Sequence, residues 1–209
     1  MGGESNGRLT ASAVIRETAL EEFAQSLGDT SIVRVAKAAG VPIALVEEHF
    51  ATDTELREAV DEYVVSLAVE AFADFELSGS SDDAMEELGR RITNLIMAHP
   101  NALLYVARSV IEGDPGGLAM FDAFMAIATQ QFQALAEEDR LDPDLDIQWA
   151  ALHVVIFNLA TLLFKDAIEN HLPESFMTPE GMERWHVADA ELFRRGFLRR
   201  AEPELSNRN

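Results

Sequence analysis

Apolar side chains recur at three- to four-residue steps along most of the chain, which is the spacing of one helix face. Near the front, Ala19, Phe23 and Leu27 follow this step, and Gly28 marks the end of a helix. Prolines and polar breaks divide the remainder, because proline resists the interior of a helix. The predicted helices cover about residues 10–27, 30–40, 41–50, 53–75, 83–98, 101–112, 118–138, 144–170 and 178–200.

Three short helices followed by six longer ones predict an all-α fold in two parts. We expect a disordered arm at 1–7, a helix-turn-helix head at 8–51, a larger C-terminal domain at 52–200 and a polar tail at 201–209. The middle of the segment 144–170 is apolar on every side, which predicts burial from both sides.

The longest apolar run of the chain, residues 149–164, bears on whether the protein enters a membrane. At 16 residues, with His153, Asn158 and Thr161 inside it, the run is too short and too polar to span a bilayer. No basic segment followed by an apolar stretch precedes the first helix, so no signal peptide is predicted. We expect a soluble, cytoplasmic protein with no membrane partner.

Composition limits the fold class and the kinds of chemical site that the chain can contain. Hydrophobic residues make up 48% of the chain, while 12 glycines and 7 prolines are too few for a sheet-rich fold with many tight turns. With no cysteine, disulfides, thiolate metal sites and thiol nucleophiles are excluded. The chain contains no glycine-rich phosphate loop, His-Glu-x-x-His motif or nucleophile elbow, so we expect neither an enzyme nor a bound cofactor.

One stretch of the last predicted helix has the spacing of metal ligands. Glu183 and His186 stand three residues apart, and Asp189 follows on the same face. A dinuclear carboxylate site would need a second such pair and two further glutamates, and a second pair is missing. We therefore predict no metal site.

Residues 30–56 have the outline of a helix-turn-helix, in which the second helix enters the major groove of DNA. Gly40 joins two short helices, and Pro42 suits the first turn of the second. Thr52 and Glu55 have the spacing of a capping box at the start of the following helix.

This motif resembles the DNA-binding head of the TetR family of bacterial transcriptional regulators; the rest of the chain agrees only in helix number and length. The resemblance rests on small, apolar and His-Phe positions at that family's spacing: Ala19, Phe23, Gly28, Thr30, Val35, Ala36, Ala39, Gly40, Val41, Val46, His49, Phe50 and Leu56. It implies a ligand-responsive repressor that binds operator DNA as a homodimer. The dimer would form through helices near 144–170 and 178–200, and the C-terminal domain would bind a small apolar ligand that changes the spacing of the heads.

The DNA-contact positions depart from the family's pattern. Pro42 stands where a small or hydroxyl residue is usual, Glu47 where tyrosine is common, and Asp53 where a lysine commonly touches a phosphate. For His49, packing or capping inside the motif is as good an interpretation as a phosphate contact. The candidate DNA contacts are Thr30, Ser31, Arg34, Lys37, Ile43, Ala44, Glu47, Glu48, His49 and Thr52.

Charge argues against an ordinary DNA-binding surface. The chain has 16 Lys and Arg residues against 37 Asp and Glu residues, a net charge of −21. Phosphate neutralisation supplies most of the affinity of DNA-binding proteins, yet residues 8–60 hold five basic and nine acidic side chains. A second hypothesis therefore stays open, a TetR-like dimer that has lost DNA binding and acts as a small-molecule sensor or protein partner.

Polar and aromatic side chains of the central helices are the candidates for the ligand pocket. Each aromatic or methionine is also a plausible core residue, whereas a buried polar side chain needs a partner, and a ligand is one kind of partner. The predicted pocket residues are Asn94, His99, Tyr105, Arg108, Phe121, Phe124, Met125, Gln131, His153, Phe157 and Asn158.

Overall fold

The computed structural model describes residues 3–26, 31–76 and 79–197, with side chains described from residue 11 onwards. Within these ranges the chain is all α, with ten helices where the sequence predicts nine. They are α1 (Gly3–Gln25), α2 (Ile32–Ala39), α3 (Ile43–His49), α4 (Asp53–Phe72), α5 (Ser81–Ala98), α6 (Pro100–Glu112), α7 (Pro115–Glu137), α8 (Ile147–Leu163), α9 (Lys165–Glu169) and α10 (Pro179–Phe197).

The front of the chain forms the predicted helix-turn-helix. The Ser31 hydroxyl accepts a hydrogen bond from the Arg34 amide and begins α2. Gly40 ends α2 with a φ of 67°, a left-handed conformation that favours glycine. Pro42 precedes α3, and the Thr52 hydroxyl begins α4 by accepting from the Glu55 amide.

The start of α1 differs from the prediction. The helix begins at Gly3, so residues 3–7, which we expected in a disordered arm, continue it. No proline precedes Pro42, so the backbone of this stretch keeps its amide donors. The first two residues and the predicted tail at 201–209 lie outside the described residues.

The predicted helix at 144–170 is divided near Phe164 into α8 and α9. The Asn158 amide and the Thr161 hydroxyl each donate to a backbone carbonyl four residues earlier, at 2.7 Å and 2.8 Å. Such bonds compete with the regular helix ladder and bend a helix. None of the helices in the described ranges is long and apolar enough to cross a bilayer.

The larger of two hydrophobic core clusters runs from the head into the helices behind it, and the smaller one, which includes Met85, Leu88 and Leu135, lies among α5, α7 and α8. Phe23, Val35, Val46 and Leu56 are fully buried where α1 to α4 meet. The same cluster continues along α4 and into α6, α7 and α8, with members that include Val60, Val64, Val106, Met120 and Leu159. The helix α4 therefore belongs to both parts of the molecule.

A polar network inside this core fixes α4 to α6. The fully buried Tyr105 donates its hydroxyl hydrogen to Asp61 Oδ1 at 2.6 Å. Arg57 lies 3.3 Å from the Tyr105 hydroxyl and 3.6 Å from the Asp114 carboxylate. Burial, followed by the hydrogen bond to Asp61, raises the pKa of Tyr105 far above its ordinary value, so the hydroxyl remains a donor.

The helices α6 and α7 approach each other closely at Gly117. A Cβ atom at this position would lie 2.5 Å from the carbonyl carbon of Ser109 and 2.5 Å from its Cβ. Gly196 of α10 is a helical glycine in open space, because a Cβ atom there would meet nothing within 4 Å.

We expect Gly117→Ala to lower the free energy of unfolding by about 1–3 kcal/mol, because an added methyl group forces α6 and α7 apart. Gly196→Ala is the matched control and should be neutral or stabilise by up to about 1 kcal/mol, the gain in helix propensity. Urea denaturation of both variants measures the difference. Equal stabilities for the two would contradict the close approach of α6 and α7.

Candidate functional site

The helix α3 is the element that a helix-turn-helix places in the major groove. Val46 is fully buried and anchors α3 in the head, which turns the opposite face to solvent. That face consists of Ile43, Ala44, Glu47 and Glu48, all exposed. It combines apolar contact area with two acidic side chains.

Basic side chains near this face are few. Arg34 of α2 lies 2.5 Å from the Glu22 carboxylate of α1, and its side chain is only 31% exposed. Lys37 is exposed. Within α2 and α3, which are both fully described, Lys37 is thus the one cation with an exposed side chain.

Asp53 has a structural role that its position in the sequence does not reveal. Its Oδ1 accepts a hydrogen bond at 2.7 Å from the amide of Ile32, the first residue of α2. A carboxylate is favourable at the N-terminus of a helix, where backbone amides lack partners. The acid that stands where the family commonly has a phosphate-binding lysine therefore joins α4 to α2.

Three of the other predicted DNA contacts have structural roles within the head. The Ser31 and Thr52 hydroxyls accept from backbone amides as helix caps. His49 is half-buried, and its Nε2 is enclosed without a hydrogen-bond partner among the described residues, which favours the packing interpretation. Thr30 lies outside the described residues.

Behind the head, a cavity of about 110 Å³ lies among α4, α5, α6, α7, α8 and α10. Its wall is almost wholly apolar. The larger side chains of the wall are Phe72, Met85, Leu88, Ile92, Leu95, Leu103, Phe124, Ile127, Phe132, Leu159 and Phe193. Three polar side chains interrupt it, namely Gln131, Asn158 and Asp189.

Of the eleven predicted pocket residues, Phe124, Gln131 and Asn158 line this cavity. Phe124 and Gln131 are seven residues apart, two helical turns, so they share one face of α7. The remaining predictions are not part of the lining, and the structure gives a place to each. Tyr105 donates a hydrogen bond to Asp61, and Arg108 donates one to the Gln25 carbonyl. Phe121 and Met125 pack against the core, and His99 lies between α5 and α6. The other three are exposed to solvent, namely Asn94, His153 and Phe157.

Two residues of α10 that the sequence did not indicate as pocket residues, Asp189 and Phe193, line the cavity. They are four residues apart and therefore lie on one face of α10. Gly89 of α5 lets α10 come close, since a Cβ atom there would lie 2.7 Å from Cε1 of the buried His186. The signal available in the sequence was Asp189 itself, an acid flanked by alanines.

The Glu183 and His186 pair does not form a metal site with Asp189. His186 is buried against α5, whereas Glu183 is exposed. In the described part of the chain, no group of three or more His, Asp or Glu side chains is placed to hold a metal ion.

The polar atoms of the cavity are incompletely paired. Asp189 Oδ1 is buried and has no hydrogen-bond partner among the described residues. The Asn158 Nδ2 donates to the Val154 carbonyl, but its Oδ1 is buried and likewise unpaired. Burial raises the pKa of Asp189 to about 7, because a charged carboxylate is disfavoured in an apolar wall.

Comparison with solved structures defines the fold. The fatty acid degradation regulator FadR from Bacillus halodurans matches with a TM-score of 0.68 at 10% identity, over 87% of this chain and 93% of that chain. A TetR-family regulator from Rhodococcus RHA1 matches at 0.67 with 18% identity, over 88% and 95% of the two chains. The ketosteroid transcriptional regulator KstR2 of Mycobacterium tuberculosis matches at 0.66 with 15% identity, over 90% and 95%. The chain has the TetR fold, and the fold prediction is confirmed.

Sequence similarity to a curated protein is local. The HTH-type transcriptional regulatory protein RaaS of Mycobacterium tuberculosis (strain ATCC 25618 / H37Rv) is 45% identical over 56 residues. This match covers 27% of the chain and 26% of RaaS, so the chain spans about a quarter of the relative's length. No family model matches the chain. The solved structures nevertheless confirm the TetR-like fold that the sequence predicts.

We expect Asp189→Asn to stabilise the protein at pH 8 by on the order of 2 kcal/mol. This figure is smaller than the full pKa shift would give, because Asp189 is partly in contact with solvent. The pKa of Asp189 is raised from its ordinary value of 3.8 to about 7, so the folded state binds this proton more tightly than the unfolded chain does. Asp189 therefore costs stability as the pH rises from about 4 to about 7, and this cost is absent from the variant.

Chemical denaturation of both proteins from pH 4 to pH 8 measures this difference. The gap between variant and wild type should shrink steadily as the pH falls. The exposed Asp144→Asn substitution is the control and should open no such gap. A gap that stays constant with pH would show that the charge of Asp189 is not its cause.

Proposed function

We propose that the chain is a TetR-like, ligand-responsive transcriptional repressor that binds operator DNA as a homodimer in the cytoplasm. The observation that carries this proposal is the geometry of the head. Two short helices meet at the left-handed Gly40, and the second, anchored by Val46, presents a continuous exposed face. We also propose the division into a head at 8–51 and a ligand-binding and dimerisation domain at 52–200.

The exposed face of α3 is compatible with base recognition. A glutamate accepts a hydrogen bond from cytosine N4, which gives Glu47 and Glu48 a role in the major groove. Ile43 and Ala44 offer apolar contact to thymine methyl groups. Lys37 and the amides of the first helical turns remain for phosphates.

The acidic side chains set the limit on affinity. Each exposed repulsion between a carboxylate and a phosphate costs roughly 0.5–1 kcal/mol after screening, by analogy with exposed ion pairs. Asp53 also keeps its negative charge, but its carboxylate has a structural role as acceptor of the Ile32 amide. The balance depends on Glu47 and Glu48.

The same two residues support the second hypothesis, a TetR-fold dimer without DNA binding. The helix α3 contains neither lysine nor arginine, and its solvent-facing side carries both glutamates. In that case the cavity would still sense a small molecule, and the head would serve a protein partner or none.

The homodimer is supported by a row of exposed apolar side chains along α8 and at Phe164, the residue that follows it. Trp149, Ile156 and Phe164 are 58%, 49% and 58% exposed. With His153 and Ala160, they are spaced three or four residues apart and form one stripe along the helix. The opposite face of α8 is buried in the chain, which accounts for the apolar character that the sequence shows on every side.

The helix α10 supplies two further exposed apolar side chains, Val187 and Leu192, which are 57% and 58% exposed. It adjoins α8 where Phe157 meets Phe193 edge to face, with ring centroids 5.9 Å apart. A two-fold dimer would pair the stripe of each protomer with its copy. Exposed apolar patches of this kind are typical of protein interfaces.

The helix α4 offers the route from ligand to DNA. Ala68 and Phe72 near its end line the cavity, whereas Leu56 near its start is buried in the head. A ligand that displaces Phe72 would tilt α4 and change the distance between the two heads. Binding to successive major grooves requires a separation of about 34–36 Å, so such a change would release DNA.

We expect the double variant Glu47→Gln/Glu48→Gln to bind duplex DNA about 5- to 30-fold more tightly per head than the wild type. Two repulsions of roughly 0.5–1 kcal/mol are removed, while side-chain size is kept. Fluorescence anisotropy with a labelled random duplex at low salt measures the gain. Asp53 is left unchanged, because its replacement would also remove the hydrogen bond from the Ile32 amide that joins α4 to α2.

The matched control is Glu137→Gln/Asp144→Asn, which removes two exposed charges from the helices and loops behind the head. It should leave DNA affinity within about twofold of the wild type, since charges beyond a Debye length of roughly 10 Å are screened. An equal gain for both double variants would contradict a specific role for α3. Absence of binding by both the wild type and the α3 variant would favour the second hypothesis.

For the dimer, we expect Ile156→Glu to raise the dissociation constant at least about tenfold, because symmetry places two new carboxylates in one interface. Ile111 of α6, which is 66% exposed, provides the control variant Ile111→Glu. Sedimentation velocity over a range of concentrations distinguishes the two. A wild type that is monomeric, or a dimer that tolerates Ile156→Glu as well as Ile111→Glu, would refute the proposed interface.

A further inference from the structure

The cavity contains two hydrogen-bond acceptors without donors. Asp189 Oδ1 and Asn158 Oδ1 are both buried, and neither has a partner among the described residues. The Asn158 side chain as a whole is only 5% exposed, so bulk water does not satisfy it. A buried acceptor left unpaired is costly, and both side chains line the same cavity.

The cavity also contains a negative charge without a positive charge to balance it. Asp189 is an acid, and no Lys, Arg or His occurs among the described residues that line the cavity. An anionic ligand would meet the Asp189 carboxylate with like charge and no compensating cation. The net charge of −21 adds a long-range attraction for cations over the whole chain.

Size and polarity define the remainder of the ligand. An apolar cavity of about 150 Å³ in another protein is large enough to hold benzene, so a cavity of about 110 Å³ fits a group near the size of one ring. Apart from Gln131, Asn158 and Asp189, the lining side chains are apolar. A ligand must therefore offer an apolar body with a single polar end.

We propose that the cavity binds a small apolar molecule with one protonated amine, whose ammonium group donates hydrogen bonds to Asp189 and Asn158. This rests on the proposed function and names the chemical class of its ligand. An ammonium group has three donors, enough for both acceptors, whereas a hydroxyl group has one. Its positive charge also offsets the carboxylate, and hydrogen bonds between charged groups are about twice as strong as neutral ones.

Three probes of nearly equal shape test the proposal: benzylamine, benzyl alcohol and benzoate. Each is titrated calorimetrically into the full chain at pH 8, where benzylamine is protonated. We expect benzylamine to bind the wild type at least about tenfold more tightly than benzyl alcohol, and benzoate to bind most weakly. In Asp189→Asn the preference for benzylamine should fall to within about twofold.

The control variant is Glu86→Gln, which removes an exposed acid from α5 outside the cavity lining and should keep the full preference. Equal binding of alcohol and amine, a preference that survives Asp189→Asn, or binding of none of the probes would overturn the proposal. DNA titration of the same protein without a probe keeps the two proposals separate. A chain that binds DNA but shows no amine preference contradicts this inference alone, and the reverse result contradicts the regulator alone.

Discussion

The hydrogen bond from Tyr105 to Asp61 holds α4 where it can serve two parts of the molecule. On one side of this bond, Leu56 is buried in the head; on the other, Phe72 lines the cavity. The Tyr105 donor is fully buried, and the Asp61 carboxylate is partly buried. Loss of the bond would leave this carboxylate without its donor, and such a loss lowers the free energy of unfolding by about 1–3 kcal/mol. In the proposed regulator, the rigidity of α4 at this point would allow a movement at the cavity to reach the head as a tilt.

The head itself shows how one fold can be kept while its surface chemistry changes. The residues that shape it, such as Gly40 and Val46, meet backbone and packing requirements that do not depend on a partner. Glu47 and Glu48 instead lie on the exposed face of α3, outside the packing of the head. Asp53 differs from both groups, since it is a surface acid with a structural bond to Ile32. The acids of the head therefore differ in structural role, although each carries a negative charge that DNA would meet.

Local signals in the sequence were sufficient for most of the fold. The cap at Ser31, the left-handed Gly40 and the cap at Thr52 are determined by residues within four positions of each other, so the helix boundaries of the head could be predicted. The cavity depends instead on how helices rotate about their axes and which faces meet. That information is non-local, and it explains why Asp189 was not predicted to line the pocket and why the buried Tyr105 was expected there.

The salt dependence of wild-type DNA binding tests whether the helix-turn-helix head contacts DNA phosphates. The affinity for a random duplex falls with salt with a logarithmic slope of about −0.9 per neutralised phosphate. With Lys37 and the partly engaged Arg34 in each of two heads, we expect binding at low ionic strength and a shallow slope of about −2 to −4. No binding at the lowest salt would contradict a DNA-binding head and leave the chain as a TetR-fold sensor.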